Sequence, residues 1–262
     1  MSRTPQMKAF ARPALALTMT LALSACATTQ DVATRSDGIN DPYEKQNRKI
    51  HGFNKGLDKN LVRPVSQAYG VVPVEIRNTV NNFSENLSMP RVAVNSLLQG
   101  DARGTGLATL RFALNTTIGI GGLFDAASEL NIPEHQTDFG ETLAVWGAGE
   151  GAYVELPVFG PSTQRDTVGL VVDFFTNPLT NNSNNKFDDD LRSVPPATAT
   201  ASVLNDREKF SDTIDSVLYE SADSYAQSRS IYLQNRRFEL GQEQARDTDP
   251  FETDPYEDPY AQ

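Results

Sequence analysis

Residues 90–124 read PRVAVNSLLQGDARGTGLATLRFALNTTIGIGGLF, and this stretch decides the fold. Gly100 stops a helix that starts at Pro90, and Asp101 can cap the next helix, which runs to about Asn115. The apolar run Ile118-Gly119-Ile120-Gly121-Gly122-Leu123-Phe124 follows, and its glycines favour a bend or close packing over a regular helix. Helices with such start and stop signals predict a mainly α protein.

A basic amphipathic helix is predicted upstream, over residues 44–63. Its apolar side chains lie on one side at about 100° per residue. Its cations lie nearly opposite: Lys45, Arg48, Lys55, Lys59 and Arg63. Such a helix either packs on the core with a solvated cationic back, or it faces a membrane and meets anionic headgroups. The sequence leaves both interpretations open.

Other elements follow from apolar spacing and from turn residues. A helix is predicted over 73–87, and an irregular segment over 138–160 contains a strand-like run at 153–156. A second helix is predicted over 162–175. The polar stretch 181–190 and the Pro195-Pro196 pair then indicate a loop. One long helix is then predicted over 206–240. Tyr225 with Arg229 and Tyr232 with Arg236 lie on one face of it. We interpret each arginine as stacking on its tyrosine to fix the helix to the body, in preference to headgroup binding.

The N-terminus has the pattern of a secretion signal. Three basic residues precede an apolar run at 14–23, which is too short to span a bilayer. The segment Leu23-Ser24-Ala25-Cys26 then resembles the bacterial lipobox, in which the cysteine is lipidated and becomes the new N-terminus. Cys26 is the only cysteine, so no disulfide forms within the chain. Ala27 follows where an aspartate would signal inner-membrane retention, so we expect sorting to the outer membrane.

The sequence therefore divides into four parts: a signal peptide at 1–25, a tether from lipidated Cys26 at 26–40, a helical domain at 41–240 and an acidic tail at 241–262. The tail repeats aspartate, proline and an aromatic residue, a composition typical of disorder. It is either a docking strip for a basic partner or a solvated end. Several acyl chains on Cys26 anchor a protein without a transmembrane helix.

Charge and motifs exclude several classes of protein. Removing the signal takes away three of 23 basic residues and none of 34 acidic ones, so the mature chain has a net charge of −14, which disfavours nucleic-acid binding. There is no nucleophile elbow and no phosphate loop, and Asp138-Phe139-Gly140 is interpreted as a turn because no kinase motif accompanies it. We expect His51 and His135 at the surface. The sequence predicts no enzyme, no metal site and no cofactor except the lipid on Cys26.

Many short motifs occur in one order over some 200 residues. They include Asp41-Pro42-Tyr43-Glu44, Asn47-Arg48, Arg63-Pro64, Leu98-Gln99-Gly100, Arg111-Phe112, Asn115-Thr116-Thr117, Asp138-Phe139-Gly140, Trp146-Gly147 and Arg165-Asp166. Over roughly residues 40–240 the chain resembles the MlaA family, also called VacJ lipoproteins. It departs from that family at Thr137, where an acidic residue is usual, at Ala144, where a glycine is usual, and in the asparagine-rich loop after Pro178.

The resemblance implies a single ring-like helical domain that lies in the inner leaflet of the outer membrane, holds an amphipathic channel and has flexible termini. It also implies lipid anchoring on the periplasmic side, association with a trimeric porin, and transfer of phospholipids to a soluble periplasmic carrier. The expected function is removal of mislocalised phospholipids from the outer leaflet. The alternative is a structural, porin-associated envelope lipoprotein. Residues 118–124 are the candidate lipid route, and a tight helix junction in the core is the other interpretation of that segment.

Overall fold

The structure, a computed structural model, describes residues 39–176 and 194–241. The signal peptide, Cys26, the stretch 181–190 and the tail from 242 lie outside the described residues. Two compact units divide the chain after Pro42, and the described residues of the first, 39–42, form no helix or strand. Among the described residues, none of the helices combines the length and the apolar character that crossing a membrane requires.

Helices joined by short turns make up the second unit, which confirms the mainly α prediction. The helices are α1 Glu44–Leu57, α2 Arg63–Gly70, α3 Val74–Gln99, α4 Ala102–Thr117, α5 Ala126–Glu129, α6 Phe139–Val145, α7 Gln164–Thr176, α8 Val194–Lys209, α9 Ser211–Asp215 and α10 Ser224–Glu239. Two strands, β1 Tyr153–Leu156 and β2 Gly160–Thr163, pair antiparallel, with Tyr153 opposite Thr163. The strand-like run at 153–156 is therefore confirmed.

The predicted helix over 44–63 does not end at Arg63. A π-helical turn at Asp58–Val62 joins α1 to α2. In it the backbone N–H of Arg63 donates to the carbonyl of Asp58, five residues earlier, and not to a carbonyl four residues earlier as in an α-helix. Pro64 explains the change, because its ring clashes with the carbonyl four residues earlier and it donates no hydrogen bond. Loosening the preceding turn accommodates the proline without ending the helix.

The two helices predicted on either side of Pro90 are one helix, α3, so that prediction is wrong. Met89 and Val92 flank the proline and are fully buried against Ala108 of α4. Packing on both sides outweighs the single hydrogen bond that Pro90 removes. The end of α3 is as predicted, since Gly100 has a φ of 77° and the Asp101 carboxylate accepts from the N–H of Gly104 at 2.9 Å.

Residues 138–160 contain more order than expected. Asp138 is not part of a turn but caps α6, because its carboxylate accepts from the N–H of Glu141 at 2.8 Å. The helix predicted at 162–175 is α7, which starts at Gln164 because residues 160–163 form β2.

The C-terminal predictions need two corrections. Pro195 and Pro196 lie in the first turn of α8 and not in a loop, because a helix start needs no backbone N–H from them. The long helix predicted over 206–240 is broken into the end of α8, then α9, a π-helical turn at Ser216–Glu220, and α10. The last break is fixed by Asp223, whose carboxylate caps α10 at the N–H of Ala226 and also binds Arg48 of α1.

Candidate functional site

Polar side chains fill the interior of the described part of the chain, and large apolar side chains cover its surface. Among the described residues, 19 buried side chains are polar or charged and eight are apolar, whereas 29 large apolar side chains are exposed. In a domain that folds in water, burial of apolar surface supplies most of the stability. The outer surface here is therefore suited to an apolar medium.

Helix α7 displays this inversion most clearly. Its buried face consists of Arg165, Gly169 and Asp173. Its exposed face consists of Val168, Leu170, Val171, Phe174 and Phe175, each 43–72% exposed. Gly169 is required by contact, because a Cβ there would lie 2.3 Å from the backbone nitrogen of Gly140. Helix α6 thus packs directly on the polar face of α7 and leaves the apolar face outward.

Two turns extend the apolar surface, and both contain strained residues. Val158 and Phe159, between β1 and β2, are 66% and 69% exposed, and Ile118, Ile120 and Phe124 are 57–65% exposed. Val158 and Ile120 have φ of 72° and 53°, a region that β-branched residues rarely adopt. Such strain costs about 1–3 kcal/mol and persists only where the surrounding structure holds the residue in place. Here it keeps an apolar side chain outward where glycine would be less strained.

Hydrogen bonds hold the segment 118–124 at both ends. Asn115 donates to Asp125 at 3.0 Å and accepts from the N–H of Ala127 at 2.9 Å. The buried guanidinium of Arg111 donates to Asp125 and to the carbonyl of Ile132. Burial alone would raise the pKa of Asp125, but hydrogen bonds from Ser128 and Asn115 and the charge of Arg111 outweigh it and lower that pKa.

Both interpretations of this segment find support in its geometry. A Cβ on Gly119 would meet the carbonyl oxygen of Phe124 at 2.1 Å, and one on Gly122 would meet the Asn86 side chain at 2.6 Å, which is a tight junction. Ile118 and Ile120 point outward and are exposed, as the lipid route requires. The route stays a prediction.

A cleft of about 370 Å³ lies at the border between the two kinds of surface. The charged residues that line it include Arg91 of α3, Asp138 at the start of α6, Asp166 and Asp173 of α7, and Arg236 of α10. Its apolar edge consists of Leu156, Phe159 and Leu170, and the last two belong to the exposed apolar surface. The cleft thus places charged groups next to a surface suited to acyl chains.

Ion pairs hold the charged side of the cleft in place. Arg91 donates to Asp173 at 3.0 Å, and Arg236 donates to Asp138 at 2.7 Å and to Asp166 at 3.2 Å. Burial would raise the pKa of Asp166, but the hydrogen bond from Thr163 and the cations Arg236 and Arg165 outweigh it, so the pKa lies below its usual range. Asp166 is therefore held as a carboxylate.

The sequence profile of the MlaA lipoprotein family matches residues 39–239, which is most of the chain. The chain belongs to the MlaA lipoprotein family. A relative from Escherichia coli (strain K12), described as "Intermembrane phospholipid transport system lipoprotein MlaA", is 37% identical over 232 residues, 86% of each chain. A relative from Haemophilus influenzae with the same description is 31% identical and covers 86% of this chain and 88% of its own.

The MlaA fold is also found in a solved structure, described as "Structural basis for maintenance of bacterial outer membrane lipid asymmetry". That chain is 33% identical, its superposition has a TM-score of 0.64, and the match covers 76% of this chain and 98% of that one. An uncharacterised protein from Rickettsia felis is 37% identical over 194 residues, which is 73% of this chain and 74% of its own.

The five cations of the predicted basic helix have different roles in this MlaA chain. Arg48 binds Asp223 at 2.8 Å and lies over the Tyr225 ring, and its hydrogen bond lowers the pKa of Asp223 to about 2. Arg63 pairs with Asp215. Lys55 is half-buried over the Tyr219 ring, whereas Lys45 and Lys59 are exposed. Membrane contact by this helix stays a prediction, and Arg48 and Arg63 are already engaged in internal pairs.

The expectation that His51 lies at the surface is wrong. Its ring is buried, with Nδ1 3.3 Å from a Glu155 carboxylate oxygen and Nε2 3.1 Å from the hydroxyl of Ser224, so it ties together α1, β1 and α10. His135 is half-buried, with Nε2 3.1 Å from the hydroxyl of Ser96. Among the described residues, no group of histidine, cysteine or acidic side chains has the arrangement of a metal site.

The tyrosine–arginine pairs of α10 fix the helix to the body, but in two ways. Arg229 lies 5.4 Å from the centre of the Tyr225 ring, as expected. Tyr232 and Arg236 instead converge on Asp166, to which the Tyr232 hydroxyl donates at 2.8 Å. Asp166 therefore takes the place of the tyrosine ring that Arg236 was expected to contact.

The departures at Thr137 and Ala144 both fall on α6 or next to it. The buried Thr137 hydroxyl donates to Glu141 at 2.7 Å and accepts from Gln99 at 2.6 Å, so an acidic residue there would oppose Glu141 directly. Burial raises the pKa of Glu141, and this outweighs the hydrogen bond from Thr137. Ala144 lies half-buried within α6.

Sequence reasoning missed the cleft, because Arg91 and Asp173 lie far apart in the chain and match no motif. One signal was available. Arg165 and Asp173 lie eight residues apart, on either side of the apolar run 168–172, with Gly169 midway between them. Polar residues at this spacing occupy one helical face and indicate a partner on that side.

Proposed function

We propose that this protein is a lipid-anchored protein of the outer membrane that removes mislocalised phospholipids from the outer leaflet and hands them to a soluble periplasmic carrier. The observation that carries the proposal is an apolar outer surface over a polar interior, with a charged cleft where the two meet. The descriptions of the E. coli and H. influenzae relatives name intermembrane phospholipid transport, which supports the same function.

The proposed position of the body is the inner leaflet of the outer membrane. Exposed apolar side chains on α7 and on the two turns favour immersion, since burying a phenylalanine or valine in hydrocarbon stabilises by about 1.5–3 kcal/mol. Lipidated Cys26 would hold the body from the periplasmic side. The exposed Lys45 and Lys59 are suited to anionic headgroups.

The proposed passage has to bind both the headgroup and the acyl chains of a phospholipid. A headgroup needs charged or polar partners, and acyl chains need an apolar wall. The cleft and the outer face of α7 supply these side by side, and the segment 118–124 is the further candidate for the route. Association with a trimeric porin, and docking of the acidic tail on a basic carrier, complete the proposal. They follow from the family resemblance and from the charge of the tail.

Outer-leaflet phospholipid in a deletion strain, with plasmid copies of the gene, tests the function. The wild-type copy should restore asymmetry, while Cys26→Ala and the double variant Phe174→Ser/Phe175→Ser should not. Ile231→Ser on α10 is the matched control, because Ile231 is another exposed apolar residue, and it should complement. If the deletion alters porin assembly and leaves phospholipid distribution unchanged, the protein is a structural lipoprotein and not a transport component.

A further inference from the structure

The charge that lines the cleft between α3, α6, α7 and α10 is unbalanced. Two lining arginines, Arg91 and Arg236, face four carboxylates, those of Asp138, Asp166, Asp173 and Glu239, and with Arg165 buried against Asp166 at 3.3 Å the formal net charge is −1. An anionic headgroup meets net repulsion in such a site, whereas a headgroup with an ammonium group does not. The cleft therefore distinguishes between headgroups by their charge.

Two of the four carboxylates are already fully engaged within the protein. Asp166 accepts from Thr163, Tyr232 and Arg236, and Asp173 accepts from Arg91, Asn95 and the N–H of Phe139. Asp138 and Glu239 each accept from Arg236, at 2.7 and 3.2 Å, but their side chains are 36% and 49% exposed at the opening. These two carboxylates are the ones that an incoming ammonium group can reach.

A partner for the phosphate lies beside them. Arg91 uses Nη1 to bind Oδ2 of Asp173, and within the described part of the chain no hydrogen bond occupies its Nη2 or Nε. The N–H of Phe139 donates to the same Oδ2 atom, which places Arg91 next to Asp138. Arg91, with unused donors, and the accessible Asp138 thus lie near one shared oxygen, and Glu239 is joined to Asp138 through Arg236. A zwitterion matches this arrangement.

The acyl chains have a path away from the charged groups. Leu170 lines the cleft and is 43% exposed, and Phe159 lines it and is 69% exposed. Both residues continue into the outer face of α7, so a lipid whose headgroup enters the cleft keeps its chains on apolar surface.

We propose that this cleft binds the zwitterionic headgroup of an amine-bearing phospholipid, with the ammonium at Asp138 and Glu239 and the phosphate at Arg91. The inference rests on the proposed function, because it takes the ligand to be a membrane lipid. It adds a preference for a zwitterionic lipid over an anionic one.

Titration calorimetry of the full-length lipidated protein in neutral maltoside detergent tests this at low ionic strength. The probes are dihexanoyl phosphatidylethanolamine and dihexanoyl phosphatidylglycerol. We expect the ethanolamine lipid to bind about tenfold more tightly, the effect of one charge-assisted contact. Glu239→Lys should abolish that preference. Glu75→Lys should retain it, because Glu75 is exposed on the same helix as Arg91 but about 24 Å away at 1.5 Å per residue.

The possible outcomes separate the headgroup inference from the proposed function. Equal binding of both lipids, or an unchanged preference in Glu239→Lys, overturns the headgroup inference and leaves the proposed function intact. If neither lipid binds, both the headgroup inference and the proposed function are overturned. A third probe, glycerophosphoethanolamine, has the same headgroup without acyl chains, and it should bind far more weakly than the lipid. If it binds equally well, the site recognises a soluble zwitterion and the inference about lipid is wrong.

Discussion

Helices α7 and α10 pack on the same strand, β2, and bury residues at the same spacing, yet their outer faces differ. The buried sets are Arg165, Gly169 and Asp173 on α7, and Tyr225, Arg229 and Leu233 on α10. The outer face of α7 is apolar up to Phe175, whereas α10 presents Gln227, Gln234 and Asn235 along with Ile231 and Phe238. Spacing alone therefore tells which residues share a face. The polarity of the outer face tells which medium each helix meets.

The largest test of this comparison uses two neighbouring residues of α7. Asp173→Ala should destabilise by about 3–5 kcal/mol, because it leaves the half-buried Arg91 without its carboxylate and the buried amide of Asn95 without a partner. Phe174→Ala should cost clearly less than Asp173→Ala, since Phe174 is 72% exposed and contributes little packing inside the protein. Urea unfolding followed by circular dichroism measures both. A larger loss for Phe174→Ala would mean that α7 is an ordinary amphipathic helix facing inward with its apolar side.

Acid should weaken the junction that α7 and α10 share at Asp166. The pKa of Asp166 is lowered in the folded protein, so its ionised form contributes stability above the unfolded-state pKa of about 3.9, and this is lost as the pH falls through the folded value. Asp166→Asn should lower stability at pH 7 by about 1.5–3 kcal/mol, the value of hydrogen bonds to a charged group. Melting temperatures between pH 2 and pH 7 should fall less steeply in the variant. Parallel curves would contradict this role for Asp166.

A smaller effect is expected from the hydroxyl that joins α10 to the same carboxylate. Tyr232→Phe removes the hydrogen bond to Asp166, together with a contact to Ser162, and should cost about 0.5–1.5 kcal/mol. Tyr43→Phe, at an exposed tyrosine, is the control for loss of a hydroxyl group. In a double-mutant cycle with Asp166→Asn, the loss from Tyr232→Phe should largely disappear. Additive losses would show that the two side chains are not coupled.

The smallest effect concerns strain on the apolar surface. Ile120→Gly should be neutral or stabilise by up to about 1 kcal/mol, because relief of the positive φ offsets the entropy that glycine loses on folding. Ile118→Gly is the matched control. Its residue has an ordinary φ of −78°, so glycine should destabilise by about 0.5–1 kcal/mol. Both variants should bind vesicles more weakly. Equal losses of stability at the two positions would show that the positive φ of Ile120 does not destabilise the protein.

Local signals in the sequence predicted the parts of the fold that local hydrogen bonds determine. Gly100 and Asp101 act through atoms within four residues, and both have the expected roles. The predictions at Pro90 and over 206–240 were wrong because contacts between distant segments decide both. The buried residues on either side of Pro90 keep α3 continuous. Asp223, which binds Arg48, begins a new helix. Packing of distant segments is not visible in local periodicity.

The candidate site was predictable only in part. The apolar character of residues 118–124 could be read from composition. Their exposure could not, and their two hydrogen-bonded ends depend on a turn that brings Asp125 back to α4. The buried position of His51 depends on Glu155 and Ser224, which lie more than 100 residues away. No spacing rule connects residues so distant, so the polar interior could be found only from the fold.

A polar interior also sets conditions on how the protein reaches its destination. In water, apolar side chains associate first, and here those are the side chains that end up outside. Collapse in an aqueous compartment therefore drives the chain toward the wrong arrangement, and a correctly folded copy in water presents adhesive surface to its neighbours. The proposed location in the outer membrane therefore implies a cover for this surface while the chain crosses the aqueous space between two membranes.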